Sequence, residues 1–103
     1  MSAVSAIENR EIRGWILKIC QRAQPYGASF QIIETTLLEA DFHVSLTEIK
    51  AHLKYLNDKD YIHMEEHKKS GVTRRINFIT PQGIDLIEGN IALDPGVLLD
   101  ETA

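Results

Sequence analysis

Cysteine is almost absent from this chain of 103 residues, in which Cys20 stands alone. A single cysteine excludes an internal disulfide framework and the paired-cysteine motifs of zinc-binding domains. Cys20 falls on the apolar face of a predicted helix, so we interpret it as a small buried hydrophobic side chain. The sequence also lacks an apolar run of membrane-spanning length and a charged-then-apolar opening segment, which predicts a cytoplasmic protein.

Motifs of catalysis are missing as well. The sequence contains no G-x-S-x-G, no P-loop and no supported Cys-His pair. A chain of 103 residues suits one compact domain and leaves little surface for an elaborate active site. We therefore expect neither an enzyme nor a cofactor.

Basic side chains are missing from residues 81–103, which carry five acidic groups. Residues 45–80, in contrast, carry seven basic and five acidic groups, while the whole chain has a net charge of -4. A negative total argues against a nucleic-acid partner, but the position of the positive charge matters more than the sum. The positive excess lies in the middle of the chain.

That middle region carries an ordered series of structural signals. A capped helix is followed by a strand at residues 61–67, a turn at 68–71, a second strand at 72–79 and a Thr80-Pro81 helix start. This order is typical of a winged helix-turn-helix, in which one helix enters a DNA groove and a β-hairpin contacts the backbone. We predict an α+β, mainly helical fold with a two- or three-stranded wing hairpin. Residues 1–89 would form this domain and residues 90–103 an acidic and apolar C-terminal arm.

Helix boundaries are indicated by local capping signals. Capping boxes are predicted at Ser5 with Glu8 and at Ser45 with Glu48, and Ser29 is a further helix cap. The first helix should end at Pro25-Tyr26-Gly27, the second near Ala40, and the last at Gly89, with residues 41–43 as the turn of the helix-turn-helix. The hairpin turn, Lys-Lys-Ser-Gly, does not read as the two-residue Asn-Gly type.

Side-chain directions follow from periodicity. In the third helix a core-facing stripe is predicted at Leu46, Ile49, Leu53 and Leu56. The two strands are predicted to point Ile62, Met64, Ile76 and Phe78 inward and Tyr61, His63 and Glu65 outward.

The opposite surface of the third helix and the hairpin supply the candidate DNA-binding residues. On the helix these are Thr47, Lys50, Ala51 and Lys54, with His52 at the edge, where it would touch DNA. Around the hairpin they are Lys68, Lys69, Arg74 and Arg75. The alternative is a solvated helix face and a hairpin protected from edge pairing by its lysines. Glu65 and Glu66 favour that alternative, since acids beside a phosphate contact reduce affinity.

Three consecutive segments resemble small bacterial winged-helix regulators of the MarR, PadR and ArsR kind. They are IKAHLKYLNDKDYI at residues 49–62, the basic hairpin, and ITPQGIDLI at residues 79–87. The resemblance covers about residues 10–89. It implies a transcriptional regulator of bacterial or phage origin that binds double-stranded DNA as a homodimer through the eight candidate residues. Winged helices also serve as protein-binding modules, so a protein–protein adaptor is the alternative.

Two further features carry weaker expectations. His63, Glu65 and His67 alternate on one strand and offer zinc-ligand types, but residues two apart on a strand lie about 6.6 Å apart. A metal-responsive regulator is therefore the least favoured alternative, and we expect no metal.

The arm contains Ile91, Leu93, Val97, Leu98 and Leu99. We expect it to pack on a second protomer, the alternative being its own domain.

Overall fold

Four helices and a three-stranded antiparallel sheet make up the computed structural model, which describes residues 3–99, with side chains from residue 5. The elements in chain order are α1 (Ala3–Arg22), β1 (Ala28–Ser29), α2 (Phe30–Glu39), α3 (Leu46–Asp58), β2 (Ile62–Lys69), β3 (Val72–Ile79) and α4 (Pro81–Glu88). The strand order is β1-β3-β2, so the long hairpin pairs with a short strand that precedes α2. The fold is a winged helix, which confirms the predicted α+β class.

The helix caps of α2, α3 and α4 are those predicted from the sequence. The hydroxyl of Ser29 accepts a hydrogen bond from the Ile32 N–H at 3.2 Å. At α3 the Ser45 hydroxyl accepts from the Glu48 N–H at 3.1 Å, and the Glu48 carboxylate accepts from the Ser45 N–H at 3.3 Å. Hydrogen bonds from Ser45 hold the pKa of Glu48 below its usual value. The Thr80 hydroxyl caps α4, which ends at left-handed Gly89.

The capping box predicted at Ser5 is wrong as a helix start. Helix α1 is already formed at Ala3, so Ser5 lies within it. A capping serine needs extended backbone angles, and a helix that continues upstream removes them. The end of α1 is as predicted, because Arg22 is its last residue and the chain then turns to reach Gly27. No helix among residues 3–99 has the length and apolar character needed to cross a membrane.

The hairpin turn differs from the prediction. Lys69 pairs with Val72, which leaves Ser70 and Gly71 as a two-residue loop. Both loop residues have positive φ, at 53° and 77°. These are the angles of the type I′ turn, whose twist matches the strands it joins. Serine takes the position that asparagine usually fills, so the sequence lacks the Asn-Gly signal of this turn.

The core lies between α1, α2, α3 and the base of the hairpin. Its largest fully buried side chains include Ile16, Leu17, Ile33, Leu37 and Leu56. Cys20 is also buried, as predicted, and its burial raises the pKa of the thiol to about 12. The thiol therefore stays protonated at neutral pH and acts as a hydrophobic side chain.

Several predicted side-chain directions are wrong. Leu46 is 51% exposed and Met64 43% exposed, whereas Tyr61 is only 6% exposed. On β3 the buried residues are Asn77 and Ile79, while Ile76 and Phe78 are half-buried. The hairpin extends away from the helices, so only its base is covered, and alternation alone does not show which face is covered.

Residues 94–99, called here the strap, lie on their own domain. The Leu98 N–H donates to the Arg10 carbonyl of α1 at 3.0 Å, and Val97 is buried. The strap backbone passes so close to Gly14 that a Cβ there would meet the Leu98 carbonyl. For these residues the structure shows the alternative, packing on the same domain, in place of the expected packing on a second protomer.

Candidate nucleic-acid interface

An open groove of about 740 Å³ runs between α3 and the hairpin. Helix α3 forms one side of the groove, and strands β2 and β3 form the other. Phe30 of α2 lines one further part of it. The remaining lining residues are Lys50, Leu53, Lys54, Asn57, Met64, Thr73, Arg75 and Asn77. The groove thus combines three cations and two amides with a few apolar side chains.

The four candidate residues of α3 are all exposed, as the predicted recognition surface requires. Lys50 and Lys54 lie one turn apart and both line the groove. Thr47 in the first turn of α3 and Ala51 beside Lys50 are also exposed, and their small side chains permit close approach of a ligand. The predicted exposure of these four residues is confirmed, and their contact with DNA stays a prediction.

The candidate residues of the hairpin are divided between two faces. Arg75 lines the groove. Side chains alternate along a strand and cross-strand partners share a face, so the same face also carries Met64, Glu66, Lys68, Thr73 and Asn77. Arg74 pairs with His67 and lies on the opposite, outer face. Lys69 pairs with Val72 and also belongs to the outer face. Alternation along a strand therefore separates Arg74 from Arg75, which the sequence analysis had grouped together.

Two of the groove cations are paired with carboxylates. The Lys54 Nζ atom lies 2.7 Å from the Asp58 Oδ2 atom, one turn further along α3. The Arg75 Nε atom lies 3.4 Å from the Glu66 Oε1 atom, directly across the hairpin. Lys50 has no ion pair within residues 3–99. The part played by Asp58 was missed in the sequence, although its spacing of four from Lys54 is the signal for a helical pair.

His52 does not belong to this surface, which corrects its predicted position beside DNA. It is 5% exposed and lies on the side of α3 that faces α1. Its Nδ1 atom accepts a hydrogen bond from the Arg13 Nε–H at 3.2 Å. Burial, and then the charge of Arg13, lower the pKa of His52. A buried neutral imidazole is unavailable to a ligand in the groove.

Behind α3, the strap is fixed by a buried carboxylate that sequence reasoning missed. Asp94 accepts hydrogen bonds from the hydroxyls of Tyr55 at 2.9 Å and Tyr61 at 2.7 Å, and from the Gly96 N–H at 2.7 Å. The Lys59 Nζ atom lies 3.5 Å from it. Burial by itself raises the pKa of Asp94, but the three hydrogen bonds and Lys59 outweigh it and lower the pKa. The sequence placed Asp94 only within the predicted C-terminal arm of residues 90–103.

The alternating His63, Glu65 and His67 form a cluster on the outer face. The Glu65 carboxylate bridges the two rings, with His63 Nε2 at 2.9 Å and His67 Nε2 at 3.0 Å. Both rings also contact Phe78. Across residues 3–99, no group of three or more histidine, cysteine or acidic side chains has an arrangement that could hold a metal ion.

A solved structure shares this fold. It is a transcriptional regulator from Clostridium thermocellum, similar with a TM-score of 0.63 and 18% sequence identity over 87% of this chain and 84% of that one. No protein-family model matches the chain, and no curated protein matches it either. At this level of identity the similarity supports the winged-helix architecture over most of both chains. Membership of the MarR, PadR or ArsR families in particular stays a prediction.

Proposed function

We propose that this chain binds double-stranded DNA as a transcriptional regulator and has no catalytic role. The observation that carries the proposal is the open groove in which Lys50 and Lys54 of α3 meet Arg75 of β3. Cations from two separate elements converge on one surface, as binding to a sugar–phosphate backbone requires. The similar solved structure, itself described as a transcriptional regulator, agrees with this role.

In the proposed complex α3 enters the major groove of the DNA. Thr47, Lys50, Ala51 and Lys54 would face the base edges and the adjoining phosphates. Arg75 would bind a phosphate beside the helix, and Lys68, on the same face nearer the hairpin tip, would extend that contact along the backbone. The outer-face residues Lys69 and Arg74 would lie further from a duplex held in this way.

The proposal predicts salt-dependent binding to duplex DNA. Four groove-facing cations that each neutralise a phosphate give a slope of log K against log salt of about -3 to -4, at roughly -0.9 per phosphate. Titration of a mixed-sequence duplex at several salt concentrations, followed by fluorescence anisotropy, measures this slope. Absence of binding at low salt would contradict the proposal and favour the protein–protein adaptor.

The homodimer also belongs to the proposal. With the strap on its own domain, α1 is the remaining candidate for a dimer contact, and it exposes Ile7 and Trp15. Trp15 already packs edge-on against Phe42, with ring centroids 6.0 Å apart. A protein partner in place of a second copy would use the same exposed side chains.

A further inference from the structure

Beside the groove on each side, a carboxylate pairs with one of the lining cations, and the proposed DNA contacts do not need it. Glu66 holds Arg75 from across the hairpin, and Asp58 holds Lys54 from the end of α3. All four side chains are about half exposed or more, so both ion pairs lie where a bound phosphate would approach. The pairs cancel the charge of two of the three lining cations, and Lys50 supplies the remaining positive charge.

Fold stability does not account for these two carboxylates. Asp58 is the last residue of α3, where a negative charge opposes the helix dipole, and the last turn of α3 has no basic residue. A lysine that precedes its acid by four residues is also the less favourable order for a helical pair. Glu66 lies on the uncovered part of the hairpin, where an exposed ion pair contributes little to folding.

We propose that Glu66 and Asp58 restrain the affinity of the groove for DNA phosphates. They pair with Arg75 and Lys54 in the free protein, and they leave negative charge beside the phosphate when DNA binds. This inference rests on the proposed DNA binding and adds a regulation of the same surface. The restraint lowers sequence-independent binding most, because that binding depends almost entirely on phosphate contacts. Discrimination between DNA sequences therefore increases.

Charge-neutralising variants with matched controls test the restraint. Glu66→Gln and Asp58→Asn preserve size and remove one negative charge each. Glu65→Gln makes the same charge change one residue away on the outer face, and Asp60→Asn makes it just beyond α3, where the carboxylate pairs with none of the groove cations. All variants are titrated with the same mixed-sequence duplex across a salt series, after urea unfolding has shown that they remain folded.

The groove variants should bind about three- to fivefold more tightly each, which is the effect of one exposed ion pair. Their salt slopes should stay within about 0.9 of the wild-type value, because Lys54 and Arg75 already contribute phosphate contacts in the wild-type complex. The control variants should change affinity by less than half as much. Equal tightening in the controls would show that net charge acts and would overturn the inference, as would unchanged or weaker binding in Glu66→Gln and Asp58→Asn.

The double variant Glu66→Gln/Asp58→Asn separates this inference from the proposed function. If the wild-type protein binds DNA and the double variant binds equally, DNA binding stands and the restraint is wrong. If the wild-type protein fails to bind at low salt but the double variant binds, the restraint stands and the proposed DNA-binding function of the wild-type protein is wrong. If neither binds, both the restraint and the DNA-binding function are wrong.

Discussion

Arg13 connects three parts of the molecule, namely α1, α3 and the strap. Its guanidinium lies 4.1 Å from the centre of the Tyr55 ring, and its Nη1 atom donates to the Gly96 carbonyl at 3.0 Å. Its Nε–H donates to His52. One side chain of α1 thereby binds both α3 and the strap, and its Nε–H keeps this acceptor only while His52 Nδ1 is unprotonated.

Stability should therefore depend on the protonation of His52. Its pKa is lowered in the folded state, so below the ordinary value of about 6.5 the unfolded chain binds more protons. Stability is then lost as the pH falls from about 6.5 towards the lower folded pKa. His52→Asn keeps an acceptor near the Nδ1 position but does not titrate, so it should remove this loss. Urea unfolding between pH 7.5 and 5 measures it.

The exposed His43 provides the control for that experiment. His43→Asn should keep the acid-dependent loss of stability, because it leaves Arg13 and His52 in place. An equal loss in His52→Asn and the wild-type protein would show that other groups cause the pH dependence.

At the scale of the elements, local signals predicted the starts of α2, α3 and α4 but not that of α1, and they failed for several side-chain directions. The caps at Ser45 and Thr80 depend on residues three positions apart, so the sequence contains all the information needed. The buried face of α3 was not predicted by these local signals. Leu46, which the periodicity assigns to that face, is exposed, whereas His52 is buried. This difference is caused by Arg13 and the strap, which are distant in sequence and cover the His52 side. Periodicity cannot show which neighbours will cover a face.

The two faces of β3 predict different roles for adjacent arginines. Arg75→Ala removes a groove cation, so it should weaken binding to all duplexes and flatten the salt slope by about 0.9. Arg74→Ala makes the same change on the outer face and should have a clearly smaller effect. Anisotropy titrations of the two variants at matched salt measure the difference. Equal weakening would mean that the hairpin tip, and not the groove, contacts the DNA.

At the scale of the whole molecule, the strap stabilises α3 from the side opposite the groove. His52 and Tyr55 face the strap and α1, whereas Lys50, Leu53 and Asn57 face the hairpin, as 3.6 residues per turn requires. The binding surface and its support are therefore separate. The sequence showed five apolar side chains in the arm, which indicated packing, but it contained no signal for the surface they would choose.

Asp94 should be a main determinant of stability that leaves the groove intact. Asp94→Ala removes the acceptor of two tyrosine hydroxyls and one N–H, and the Tyr61 hydroxyl would remain buried without it. A buried donor left unsatisfied costs about 1–3 kcal/mol. We therefore expect the free energy of unfolding in urea to fall by roughly that amount at pH 7.

The free energy of unfolding at acidic pH provides a second test of the role of Asp94. Because its folded pKa is lowered, the carboxylate stabilises the protein above the ordinary carboxyl pKa, and this contribution is lost as the pH falls through the folded pKa. Asp94→Ala should flatten the stability profile in that acidic range. The exposed Glu39→Ala serves as the control and should change stability by less than about 0.5 kcal/mol.

DNA affinity of folded Asp94→Ala should match the wild-type value, since its contacts lie behind α3. A variant with full stability would show that the strap contributes nothing to folding, and one that stays folded but loses DNA affinity would show that the strap positions the binding surface.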